Sequence, residues 1–334
     1  MDLILLTLGI LLLIVGTLDF FWTALWVDGG AGPLTRRLAN ALWKSLRKIS
    51  GDRPQMLSFS GPLILSLTLL SWIFFLWLGW TLIFLSDPNS LAGSQNNEYA
   101  NWSDKLYYTG YLVFTLGNGD FKPTNAIWQT ATVLATGSGM LFITLAVTYL
   151  LSVLNAVTLK RSFAESVTGI GGNGGEIVKN AWNGTDFHDI NLVLNTYATQ
   201  ISTLCAQHKA YPILHYYQTS NAKEALSVAF VIFDEALTIF QHGIPEGFQP
   251  NKLLLKESRS SIDSFLDTIN PTYVSPSKNP PSALELESLR KAGLPVVSNE
   301  KFALAVGGLK GRRQKLLGII EANARQWPAE KKSQ

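Results

Sequence analysis

The run Thr115-Leu116-Gly117-Asn118-Gly119-Asp120 puts a hydroxyl, two glycines and a carboxylate within six residues. Those types suit coordination of a cation by the main chain. Stripping a cation of its water takes a column of carbonyl oxygens directed at one axis. Successive carbonyls can all point inward only where some residues take positive φ, which glycine does at little steric cost. Gly117 and Gly119 supply that freedom, and the Thr115 hydroxyl adds an oxygen at the inner end. Little other chemistry is spelled out. His188, His208, His215 and His242 form no metal-ligand spacing with carboxylates or with Cys205, so no transition-metal site is expected. No nucleophile–base arrangement stands out, and the expectation is a protein that is not an enzyme and carries no cofactor.

Three apolar stretches are long enough to cross a bilayer, which takes roughly 20 apolar residues. The first runs from Leu3 to Val27 and holds one acid, Asp19. The others lie within Met56–Ser86 and Pro123–Leu159, both free of charge. Only 15% of the 334 residues are charged, and the net charge of +3 gives no reason to expect a nucleic-acid partner. Arg36, Arg37, Lys44, Arg47, Lys48 and Arg53 follow the first span, whereas Asp87–Asp104 holds Glu98 and neither lysine nor arginine. Basic loops stay on the cytoplasmic side. A multi-pass protein of the cell membrane is expected, N-terminus outside and C-terminus cytoplasmic. The first span lacks a basic start and a small-residue cleavage site, so it reads as a retained helix.

Between the second and third spans, Leu106 to Gly119 is apolar yet too short to cross. Its ends must lie on one side because the flanking spans run in opposite directions. A re-entrant hairpin meets both demands: a half-helix over 104–114, capped by Ser103 or Asp104, descends, and 115–120 climbs back. Non-helical backbone at membrane depth is tolerated where protein or a water-filled cavity surrounds it. The climbing segment should therefore line a pore.

At this point the chain resembles the potassium-channel family, whose filter reads Thr-Val-Gly-Tyr-Gly-Asp. Four of the six positions are identical here, Leu116 keeps an apolar side chain, and Asn118 replaces the usual aromatic residue. The resemblance implies ion binding by Thr115, Leu116, Gly117, Asn118, Gly119 and Asp120, with K+ as the permeant ion held by carbonyls. It implies filter support by Tyr107 and Tyr108, a gating hinge at Gly139 or Gly137, and Met140 and Ile143 facing the cavity. It also implies a homotetramer, since one hairpin supplies a quarter of the carbonyl ring. Loss of the aromatic packing at Asn118 leaves a non-selective cation pore as a second expectation. A non-conducting membrane sensor or scaffold is a third. A plain external turn at 115–120 is the remaining alternative, and it leaves the apolar hairpin and the tyrosine pair without a role.

The expected organisation is an N-terminal span over 1–28, a basic interfacial helix over 29–55, a pore domain over 56–160 (outer helix 61–86, inner helix 125–158), a linker over 161–180 and a helical cytoplasmic domain over 181–334. The class is thus mainly α. Leu34, Leu38, Leu42, Leu46 and Ile49 recur at helical spacing among basic residues, so 34–49 should lie on membrane lipid, anionic lipid in particular. Asp19 should snorkel or meet a partner such as Arg36. Gly169-Ile-Gly-Gly-Asn-Gly174 matches Gly-x-Gly-x-x-Gly but lacks the strand and the βαβ alternation of a nucleotide site, so it reads as a flexible linker. Helices are expected over 186–208, 221–240, 251–269, 283–292 and 298–327, with a proline-rich loop over 270–282. Lys310, Arg312, Arg313 and Lys315 read as a solvated helix face. The ligand of this domain is not legible.

Overall fold

The computed structural model describes residues 1–27, 30–51, 53–117, 119–273 and 275–328. They divide into two compact units. One comprises 1–44, 62–154 and 210–213; the other comprises 45–61, 155–209 and 214–334. The class is mainly α, as the sequence indicates.

The first unit is built on α1 (Leu3–Leu25), most of α2 (Pro33–Ser50), α4 (Ser60–Leu85), α5 (Trp102–Val113) and the first two-thirds of α6 (Ala126–Ile170); the four-residue α3 (Pro54–Leu57) precedes α4. Three helical stretches are long and apolar enough to cross a membrane: Leu3–Leu25, Pro54–Leu85 and Ala126–Ile170. A helix satisfies its own main-chain polar groups, which lipid demands. Asp2 caps α1 by accepting from the amides of Ile4 and Leu5. α1 meets α4 at small residues: a β-carbon on Gly9 would come within 2.8 Å of the Gly79 carbonyl oxygen. Close backbone approach of this kind is the usual glue between apolar helices.

Asp19 departs from expectation. It is 2% exposed. Its carboxylate accepts from the Leu34 amide at 2.8 Å, the Thr35 amide at 3.2 Å, the Thr35 hydroxyl at 2.5 Å and the Trp72 indole at 3.0 Å. It neither snorkels nor pairs with Arg36. It anchors the N-terminus of α2, whose free amides and dipole favour a negative group. α2 itself spans the expected 34–49, with Leu34, Leu38, Leu42 and Leu46 half-buried, Arg36, Arg37, Lys44 and Lys48 exposed, and Ile49 of the expected apolar face exposed as well.

The segment between α4 and α6 holds a feature the sequence did not announce. β1 (Leu91–Gly93) pairs antiparallel with β2 (Phe121–Pro123), matching Gly93 with Phe121 and Leu91 with Pro123.

In the second unit, α9 (Leu226–Thr238) is buried along its length and continues as one π-helical turn over Ile239–Gly243. The end of α6, α7 (Gly174–Ala181), α8 (Ile190–Ala210), α10 (Lys252–Tyr273), α11 (Glu287–Lys291), α12 (Asn299–Gly308) and α13 (Lys310–Ala322) share its core. Several boundaries move. The inner helix does not stop at 158, and 161–180 is not a linker: Phe163, Ala164 and Val167 are fully buried, so packing carries the helix on to Ile170. The glycine-rich run is an ordered joint, in which Asn173 caps α7 and a β-carbon on Gly174 would lie 2.7 Å from the Ala236 amide. α10 extends through Pro271 into the expected loop, and the expected 298–327 helix breaks after Gly307-Gly308, residues that disfavour helix.

The basic cluster is not a solvated face. Arg312 reaches Asp234 at 2.5 Å and also bonds Asp263, while Arg259 binds the same Asp234 at 2.7 Å. Arg313 pairs with Glu235 at 2.9 Å, with both side chains under a tenth exposed. Lys310 alone of the four is exposed, and Lys315 lies 3.9 Å from Asp267. Asp234 and Glu235 sit on the buried α9, and a buried carboxylate needs a paired charge.

Candidate functional site

α5 is the half-helix. It starts two residues before its expected 104 because the cap is Asn101, whose side chain accepts from the amides of Ser103 and Asp104 while Asp104 accepts from the Asn101 amide. This reciprocal pair satisfies donors that a helix start leaves free. The helix is fixed along its whole length. The Trp77 indole donates to the Leu106 carbonyl at 3.0 Å, and the Thr81 and Thr109 hydroxyls meet at 2.8 Å. The buried Lys105 ammonium bonds the carbonyls of Asp87 and Pro88 at 2.6 and 3.1 Å, tying the helix to the loop that follows α4.

The two tyrosines divide their work. Tyr108 is 2% exposed, lies edge-on to Phe84 and hydrogen-bonds Thr132 of α6 at 3.0 Å. Tyr107 is 41% exposed; its phenol donates to Asp120 at 3.2 Å, and its ring lies tilted at 48° with its centroid 4.5 Å from that of Tyr111. The Tyr107–Asp120 bond closes the hairpin, because it returns the end of the climbing segment to the helix that came down. The Ser94 amide donates to the Asp120 carbonyl at 2.8 Å, and β2 follows at once. Asp120 is therefore held from both sides.

After Val113 the chain leaves the helix sharply. The Leu116 amide still bonds the Tyr111 carbonyl at 2.9 Å. Thr115 has φ +56° and Gly117 φ +73°. For glycine this costs little, but a β-branched residue there is strained by about 1–3 kcal/mol. Strain of that kind persists where the surroundings over-determine it. Thr115, Leu116, Gly117, Gly119 and Asp120 are all exposed, Leu116 by 66%. Asn118 lies outside the described residues.

On α6, Gly139 faces the end of α5 so closely that a β-carbon would overlap the Val113 carbonyl. Gly137 has open space instead. The indole of Trp80 donates to Ser138 at 3.0 Å, pinning this stretch of α6 to α4. Met140 is 66% exposed and Ile143 half-buried. Thr144 and Thr148 are exposed one and two turns beyond Met140, a polar stripe in an apolar helix that sequence reading passed over. The signal was available as the four-residue spacing of Met140, Thr144 and Thr148. Each threonine hydroxyl donates to the carbonyl four residues back, Thr144 to Met140 at 2.8 Å and Thr148 to Thr144 at 3.0 Å. Among the described residues, no group of three or more His, Cys, Asp or Glu side chains converges as a metal site.

An ion channel family model matches residues 67–156, which covers most of α4, all of α5, the hairpin and α6 as far as Ala156. The chain is also 50% identical over 325 residues to the "Uncharacterized membrane protein YdjJ" of Bacillus subtilis (strain 168), across 97% of this chain and 95% of that protein. No solved structure matches.

Proposed function

From a chain that belongs to the ion channel family, we propose a potassium-conducting pore made by four copies around residues 115–120. The observation that carries the proposal is the hairpin: a half-helix ends at Val113, and strained main chain follows it, exposed within the protomer and tethered again at Asp120. Main chain that is exposed in one copy is free to turn its carbonyl oxygens toward a shared axis. Four symmetry mates would surround that axis, and the partial negative charge at the end of α5 would favour a cation arriving from the inner side.

In this reading Thr115, Leu116, Gly117, Asn118, Gly119 and Asp120 form the filter, and Tyr107 and Tyr108 hold it. Met140, Ile143, Thr144 and Thr148 line the water-filled cavity below; threonine hydroxyls are better placed against water than against lipid. The basic face of α2 lies on anionic lipid at the cytoplasmic surface, with the N-terminus outside. The C-terminal unit biases bending of the inner helix near Gly137 or Gly139.

A non-selective monovalent cation pore is the second reading, motivated by Asn118 where the family has an aromatic ring. Rubidium uptake into liposomes bearing the purified protein separates the two. Potassium selectivity predicts uptake blocked by potassium and little affected by sodium; equal block by both supports the non-selective pore. Absence of uptake from a truncated, constitutively open variant refutes conduction and leaves a sensor or scaffold. Chemical cross-linking that stops at dimers refutes the tetramer.

A further inference from the structure

The C-terminal unit contains a recess of about 320 Å³ between the proline-rich turn at 280–284 and helices α12 and α13. Pro281, Leu284, Ala303 and Val306 form apolar walls, and the two charged lining residues, Lys310 and Arg313, are both cations. Recesses that hold small molecules have this character: largely apolar, about 300–1,000 Å³, with a few polar groups that fix orientation.

Arg313 keeps an unused donor. Its Nη2 donates to Glu235 at 2.9 Å and to the Ser282 carbonyl at 2.7 Å, but its buried Nε–H has no acceptor among the described residues. The Trp327 ring lies 5.6 Å from the guanidinium carbon, giving contact without a counter-charge. Burial pushes the Glu235 carboxyl up to about 7, with Arg313 working against that rise. Lys310, exposed at the start of α13, adds a second cation at the same end. Two other cavities are less suited to a ligand. The one beside Lys160, His208 and His215 has about 40 Å³, room for a few waters. The one beside His242 carries its own Glu246–Lys252 pair.

We propose that the recess binds a small amphipathic anion, its apolar body against Pro281, Leu284, Ala303 and Val306 and its carboxylate or sulfonate beside Lys310 and Arg313. The walls supply the hydrophobic part of the affinity, the Lys310 charge selects the sign, and the unused Arg313 Nε–H offers a donor. The ligand enters from the open side, where Ala303 and Lys310 are exposed.

The test is titration of the full chain, in lipid nanodiscs, with 2-naphthoate, followed by saturation-transfer NMR. Saturable binding is expected, about tenfold weaker for uncharged 2-naphthol and about tenfold weaker in Lys310→Ala. Ala303→Trp, which fills the recess from an exposed position, should abolish it; if that variant fails to fold, Lys310→Glu takes its place with a larger loss than Lys310→Ala. Naphthoate that shows no saturable binding up to its solubility limit overturns the proposal. So does equal binding to the wild type and the variants, or equal binding of naphthol, either of which would mark simple partitioning into lipid.

Discussion

Gly139 of α6 lies against the carbonyl of Val113, the last residue of α5, with no room for a β-carbon between them. The residue that resemblance marks as a hinge is therefore also a packing requirement. Gly139→Ala should overpack this contact and destabilise the protein by about 1–3 kcal/mol, with loss of rubidium uptake. Gly137→Ala, with open space around it, should be neutral or stabilising by up to about 1 kcal/mol. Thermal unfolding of the two variants reads the difference. Equal melting temperatures would remove the packing role of Gly139.

Tyr107 and Asp120 close the hairpin through one phenol-to-carboxylate bond of 3.2 Å. Tyr107→Phe keeps the ring beside Tyr111 and loses the donor, worth about 0.5–1.5 kcal/mol. Competition of sodium against rubidium uptake should strengthen several-fold. An unchanged competition profile would assign the tyrosine to packing alone. Asn118→Tyr should act in the opposite direction and sharpen the preference for potassium.

Asp19 accepts hydrogen bonds from four donors at the joint of α1, α2 and α4. Asp19→Ala leaves the α2 amides and the Trp72 indole without an acceptor, at a cost of about 1–3 kcal/mol per stranded group. Trypsin should then cut at Arg36 and Arg37 faster than in the wild type. Arg36→Ala, by contrast, should leave stability unchanged, since Arg36 is exposed and is not the partner of Asp19.

The C-terminal unit should show two opposed pH dependences. Burial raises the Glu235 carboxyl from 4.5 to about 7, with Arg313 working against that rise. Between those values the folded state holds a proton that the unfolded chain releases, so stability falls as pH rises from about 4.5 to 7. Burial, and then the charge of Lys160, lowers His208 and His215 from 6.5 to about 3. There the unfolded chain takes up the proton instead, so stability falls as pH drops from 6.5 toward 3. Glu235→Gln should flatten the first slope and His208→Gln should weaken the second, in melts of the full chain from pH 4 to 8. Parallel curves for wild type and both variants would contradict these assignments.

Met140, Thr144 and Thr148 are exposed on one stripe of α6. In a Cys205→Ala background, Thr144→Cys and Thr148→Cys should react with a membrane-impermeant thiol reagent when the pore is open. Phe74→Cys, exposed on the apolar outer helix, should not. Labelling of Phe74→Cys alone would put the threonine stripe against lipid and remove it from the cavity.

Much of this was legible from residue types. Long uncharged runs force helices wherever lipid is the solvent, so all three spans could be read directly. The short apolar segment from Leu106 to Gly119 pointed to a hairpin because it could not cross. What the sequence could not express was which polar groups meet. Asp19 reads as an acid in a span, and only the fold brings the α2 amides to it across fifteen residues of chain. Arg312 and Arg313 read as surface charge because helical spacing does not reveal that Asp234 and Glu235, 78 residues earlier, need counter-charges inside a core. Likewise, glycine at 139 signals either bending or close contact, and only the carbonyl of Val113 beside it decides that contact is required. Local composition determines solvent and secondary structure, because both are properties of a segment; pairing of buried charges and backbone approach depend on distant segments, so tertiary structure alone decides them.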